Sequence, residues 1–140
     1  MNLSKSVVIK RSAAYKDAEN TTNVTGADLD FTGYDGVLFF AYVETKTATT
    51  EKNVLKIEQK DSDGNYTALT GAVAEATDDE KIVAVDVYRP LEAQGKILRG
   101  VLDIATASKT GDLYAVLYDG RVKAEDFADI NTLVISPATV

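Results

Sequence analysis

Apolar residues along this chain alternate with polar ones or gather in short runs, and turn residues separate the runs. The most apolar run is Gly36-Val37-Leu38-Phe39-Phe40-Ala41-Tyr42-Val43-Glu44. Aromatic and β-branched residues dominate it, which predicts a strand. On a strand Val37, Phe39, Ala41 and Val43 point one way, and Leu38, Phe40 and Tyr42 point the other. Such a strand is apolar on both faces and needs cover on both. One cover is the core of a small β-domain. The other comes from elsewhere in the chain or from another subunit.

The same reading extends to both sides of this run. Ala27-Asp28-Leu29-Asp30-Phe31 alternates as a half-buried strand, and Thr32-Gly33-Tyr34-Asp35-Gly36 is a turn. Thr45 to Asn53 reads as a loop. Val54 to Lys60 alternates, with Leu55 and Ile57 inward and Lys56, Glu58 and Lys60 outward. Asp61-Ser62-Asp63-Gly64-Asn65 is a tight turn that returns the chain through Tyr66-Thr67-Ala68-Leu69. Ala72–Ala76 offers at most a helical turn. Ile82–Tyr88 is a strand that stops at Arg89-Pro90. Ile97–Ala105 follows, with Leu98, Gly100, Leu102 and Ile104 on one face. Ser108–Asp112 reads as a turn, Leu113–Tyr118 as another strand apolar on both faces, and Leu133-Val134-Ile135 as a last short one. Seven or eight short strands without a long helix predict an antiparallel β-sandwich or a jelly-roll-like barrel. Residues 1–23, mostly polar with one apolar patch at Val7-Val8-Ile9 and a single aromatic at Tyr15, read as an extended N-terminal arm whose patch suits a short strand crossing to another sheet or subunit, and residues 24–140 as one domain.

Composition narrows the chemistry. The chain of 140 residues has no cysteine and no histidine, and its net charge is −7. The first absence removes disulfides and thiolate chemistry. The second removes the commonest general base and transition-metal ligand. The acidic balance disfavours nucleic acid and anionic lipid as partners. No run is long enough for a membrane-spanning helix, and the apolar part of the N-terminus is shorter than a signal sequence needs. A cytosolic, unprocessed chain is expected, with no cofactor.

Candidate sites are few. Asp61-Ser62-Asp63-Gly64-Asn65 resembles half of a calcium loop, but Ala72 stands where the distal glutamate belongs, and Asp-Gly is an ordinary turn signal. The carboxylates Asp78, Asp79, Glu80, Glu125, Asp126 and Asp129 lie in polar, loop-like stretches and not within apolar runs, and Asp86 and Asp103 fall on the less apolar faces of their strands. Arg89, Arg99 and Arg121 are candidates for ion pairs between subunits. Tyr34, Tyr42, Tyr88, Tyr114 and Tyr118 suit core or interface positions ahead of a sugar groove.

Several pieces, taken in order, resemble a known pattern. Asp28-Leu29-Asp30-Phe31-Thr32-Gly33-Tyr34-Asp35-Gly36-Val37-Leu38-Phe39 is a Gly-Tyr-Asp turn leading into an apolar strand. The hairpin Leu55–Leu69, the strand Val85–Pro90, the strand Gly95–Val101 and Ala115–Arg121 follow. In this order they resemble the small β-rich proteins encoded near the major capsid protein of tailed bacteriophages, with Ile97 replacing a usual aromatic. The likeness runs over about residues 24–123. It implies a capsid decoration (cement) protein that binds the outside of the shell, is assembled in a bacterial cytoplasm, and is not an enzyme. The expected partners are the major capsid protein and further copies of the chain, a trimer ahead of a dimer. Val7, Val8, Ile9, Tyr15, Arg89 and Arg121 are the candidate capsid or subunit contacts. A tail or head-tail connector component and a carbohydrate-binding β-sandwich module are the alternatives.

Overall fold

The structure, a computed structural model, describes residues 7–14, 23–45, 53–76, 81–88, 96–104 and 108–120. Nine strands run through them: β1 (Val8–Ala13), β2 (Asn23–Thr25), β3 (Leu29–Asp30), β4 (Tyr34–Thr45), β5 (Asn53–Lys60), β6 (Tyr66–Ala76), β7 (Lys81–Tyr88), β8 (Ile97–Asp103) and β9 (Ser108–Gly120). Every pairing between them is antiparallel. One sheet has the order β1-β9-β4-β7. The other has the order β2-β8-β5-β6, with β3 also paired to β8. The architecture is the expected all-β antiparallel sandwich, with nine strands described.

Alternation along the strands decides which side chains meet between the sheets. From the four-stranded sheet come Val37, Phe39, Ala41 and Val43 of β4, Val83, Val85 and Val87 of β7, and Leu113, Ala115 and Leu117 of β9. Facing them are Leu55 and Ile57 of β5, Leu98 and Leu102 of β8, and Val24, Leu29 and Phe31. Phe39 is completely buried at the centre. Gly100 makes room for it: a Cβ there would stand 2.9 Å from Leu113 Cδ2 and 3.3 Å from Phe39 Cδ1. The inward and outward sets expected for β4, β5 and β8 are those observed.

Three segments differ from the sequence reading. Val8–Ala13, read as part of an arm whose apolar patch suits a short strand, is an edge strand of the four-stranded sheet, with Val8 opposite Leu117 and Ile9 opposite Val116. The patch pairs within the chain's own sheet, and the strand runs on to Ala13. Ala72–Ala76, expected as a helical turn at most, completes β6. There Val73 pairs with Lys56 and Ala68 with Glu58, so the β6 chain between them bulges out, and Gly71 takes φ +79°. Alanine's helix preference is overridden by pairing with β5. Ser108–Asp112, expected as a turn, belongs to β9, and its glycine sits in a bulge where the register slips between Ala41 and Val43.

Replacing Phe39 by alanine removes the most deeply placed aromatic and leaves a cavity between the sheets. The expected loss is about 3–5 kcal/mol of unfolding free energy, measured by urea denaturation. A loss below about 1 kcal/mol would show that the sandwich does not depend on β4.

Candidate functional site

The outer face of the four-stranded sheet is apolar. Strand register sets its rows: Ile9, Val116, Leu38 and Asp86 cross the sheet in one, and Arg11, Tyr114, Phe40 and Ala84 in the next. Tyr118 and Tyr88 flank Gly36 at one end, and Tyr42 pairs with Ile82 at the other. Ile82 is 69% exposed, Tyr88 49%, Tyr42 41% and Ile9 37%. Leu38, Phe40, Tyr114, Val116 and Tyr118 are half-buried. The rings of Phe40 and Tyr114 lie 5.5 Å apart at 31°. This is the second face of β4, and no described residue forms a third layer over it.

One end of the face is locked by two tyrosines that cross β4 in opposite directions. Tyr118 of β9 donates its hydroxyl to Asp86 Oδ1 of β7 at 2.5 Å. Tyr88 of β7 donates to Asp119 Oδ2 at the end of β9 at 2.6 Å. The rings are near parallel, 14° apart with centroids at 6.1 Å. The Tyr118 ring passes over the strand position that carries no side chain. A Cβ on Gly36 would lie 2.6 Å from two carbons of the Tyr118 ring, so the latch closes only over glycine. Asp119 adopts φ +54°, a left-handed conformation that aspartate tolerates better than most residues. Burial and the bond to Asp86 both push the Tyr118 phenol well above its ordinary pKa.

Tyr114 repeats the pairing more loosely. Its hydroxyl donates to Asp112 Oδ2 at 3.3 Å, and Arg11 Nη1 stands 3.9 Å from the same oxygen. The carboxylates at this face thus bond to groups beside them and do not project as bare charges. Such a surface loses less on desolvation than one carrying unpaired ions.

The outer face of the five-stranded sheet is different in kind. Lys60 Nζ and the Tyr66 hydroxyl hold Asp28 at 2.8 and 2.6 Å. Both bonds lower the Asp28 pKa, with the lysine bond the larger cause. The Arg99 guanidinium lies 3.3 Å above the Tyr66 ring and bonds Glu58 Oε2 at 2.7 Å through Nε and Nη2. The turn Asp61–Asn65 forms as a hairpin turn: the Asp61 carboxylate accepts from the Asp63 and Asn65 amides, and Gly64 takes φ +88°. Among the described residues no three carboxylates converge as a metal site.

Of the expected contact residues, Val7 and Val8 are buried in the chain's own fold, at 6% and 2% exposure, and only Ile9 reaches the outer face. Strand alternation separates Ile9 from Val8. Tyr15, Arg89 and Arg121 lie outside the described residues. Arg99 is engaged by Glu58 of the same chain. None of the five tyrosines considered for core positions is fully buried; Tyr42, Tyr88, Tyr114 and Tyr118 lie on the outer face. The latch residues Asp86 and Asp119 were not expected together. Their signal was the mirrored order of Asp86-Val87-Tyr88 and Tyr118-Asp119, but only the register with Gly36 makes it legible.

No protein-family model and no curated protein sequence matches the chain. Solved structures share its fold. The PBSX exported protein XepA aligns over 99% of this chain and 45% of its own length, with 18% identity and a TM-score of 0.60. The CBM22-1–GH10 modules of Clostridium thermocellum endo-1,4-β-D-xylanase 10B, solved with xylohexaose, align over 98% of this chain and 27% of theirs, with 11% identity and a TM-score of 0.51. The SPBc2 prophage-derived protein YomS aligns over 81% of this chain and 93% of its own, with 9% identity and a TM-score of 0.48. For XepA and the xylanase modules the likeness is one of fold.

The latch has a titration signature. Tyr118 holds its proton more tightly folded than unfolded, so its contribution to stability is complete below about pH 10 and is lost as the pH rises further. Alkaline titration followed by ultraviolet difference absorbance should show a phenol ionising above the ordinary tyrosine range. Asp86→Asn should lower that midpoint part of the way, since burial remains. A midpoint unmoved by the substitution would show that Asp86 does not hold the hydroxyl.

Proposed function

We propose that this chain is a bacteriophage structural protein that works by binding other proteins, as a capsid decoration protein on the outer surface of the shell. The observation that carries the reading is the apolar outer face of the four-stranded sheet. A sandwich with a closed core has no need of Leu38, Phe40, Tyr42, Ile82 and Val116 on its outside. An apolar face of this extent on an acidic domain marks a surface that protein covers. The ordered resemblance of residues 24–123 to capsid-proximal phage proteins supports the phage setting, and the fold shared with a PBSX exported protein fits it.

In this role the partners are the major capsid protein and further copies of the chain. Catalysis has no part in it: neither histidine nor cysteine is present to act as base or nucleophile. Repetition over a symmetric shell converts modest single contacts into tight overall attachment. The chain's net charge of −7 suits an outer surface facing solvent better than an inner one facing DNA. Synthesis would take place in the host cytoplasm before attachment to the virion.

A second reading rests on a specific observation. The near-parallel rings of Tyr88 and Tyr118, with Asp86 and Asp119 beside them, offer a flat aromatic platform with acceptors at its edge. Sugars stack on such platforms, and the chain shares its fold with modules solved with xylohexaose.

The two readings separate in one pair of assays. Purified chain mixed with phage shells stripped of it should co-sediment and saturate at a fixed ratio to the capsid subunit. A panel of soluble glycans should give no binding. Absence of shell binding at about 10 µM protein, with clear glycan binding, would replace the first reading by the second.

A further inference from the structure

We propose that the outer face of the four-stranded sheet is a self-association surface, on which a second copy of this chain packs about a two-fold axis running along the strands. The inference deepens the assembly reading by naming the occupant of this face, but it concerns the chain without any shell and stands or falls separately.

Size comes first. Four strands about 4.8 Å apart, with four outward rows spaced by about 6.8 Å, make a face of roughly 19 by 27 Å. That is about 510 Å² on each copy, so a pair would cover about 1,000 Å² in all, the low end of specific interfaces and in keeping with a micromolar dimer. Composition follows the same direction. The centre is Leu38, Phe40, Tyr114 and Val116, and the charged groups stand at the margins. Such a centre, rich in aromatic residues and free of charge, is what interface cores require. Asp86, Asp112 and Asp119 accept from Tyr118, Tyr114 and Tyr88, so covering the face strands no bare carboxylate.

Charge placement then selects the partner and the axis. β1 and β7 are the two edges of the sheet. Arg11 lies on the β1 edge and Asp86 on the β7 edge. A two-fold axis along the strands lays the β1 edge of one copy over the β7 edge of the other. Arg11 then meets Ala84 of the second copy, with Asp86 one row away and within the reach of a guanidinium. Arg11 is held 3.9 Å from Asp112 with 59% of its side chain exposed, so its guanidinium lies where a second copy can reach it. The pairing occurs twice, once on each side of the axis. A flat, self-complementary face of this kind fits an isologous dimer better than a trimer.

The test is sedimentation equilibrium on the full chain with its substituted forms. The wild type should be a dimer with micromolar dissociation, about 1–10 µM. Ala84→Lys sets a lysine against Arg11 of the other copy and should weaken association at least about tenfold. Arg11→Glu alone should also weaken it. The two together place opposite charges against each other across the axis and should restore at least about half of the lost free energy. Ile82→Lys, at the most exposed apolar position, is a second disruption that leaves the core untouched. Circular dichroism checks that each variant folds. A wild type that stays monomeric at about 100 µM, or a dimer that none of these substitutions weakens, overturns the proposal. Weakening by both single substitutions without recovery in the pair overturns the strand-parallel axis.

Discussion

The structure depends on a strand with two apolar faces. β4 lies inside the four-stranded sheet, between β9 and β7, and gives Val37, Phe39, Ala41 and Val43 to the interior. That face is sealed by the five-stranded sheet, with Phe39 seated against Gly100. Leu38, Phe40 and Tyr42 remain on the other side. A strand's alternation allows no escape: a shift of one residue would only exchange the two sets. The hydrophobic effect that closes the core therefore leaves a second apolar surface that no described residue covers.

The two outer faces answer the same sandwich with different chemistry. On the five-stranded sheet, Asp28, Lys60, Tyr66, Arg99 and Glu58 form a charged network suited to water. On the four-stranded sheet, carboxylates are matched to phenols, and the aromatic surface stays intact around them. The tyrosine latch also ties β7 to β9 across the strand between them, so that one end of the face is held flat. Preorganisation of this kind lowers the ordering cost of association.

The fold was legible in the sequence because its signals are local. Alternation at Val54–Lys60 and Ile97–Ile104 placed Leu55, Ile57, Leu98 and Leu102 inward, and Asp61–Asn65 announced its turn. What was not legible depends on pairing between distant strands. Val7 and Val8 looked like contacts for a partner, but both are buried in the chain's own fold, Val8 opposite Leu117 of β9. The glycine at position 111 looked like a turn and is a bulge opposite Tyr42. The latch needs three strands in register before Tyr88, Tyr118 and Gly36 come together. The unserved face itself could be named in advance from Leu38, Phe40 and Tyr42; whether a third layer lay over it could not.

The central claim is that protein covers this face when the chain is at work. Residue-resolved tyrosine footprinting tests it most directly, comparing dilute chain, concentrated chain and chain bound to shells. The account predicts that Tyr42 and Tyr88 lose reactivity on assembly, while Tyr66, on the opposite sheet, keeps its own. Equal reactivity of Tyr42 and Tyr88 in all three states would contradict it.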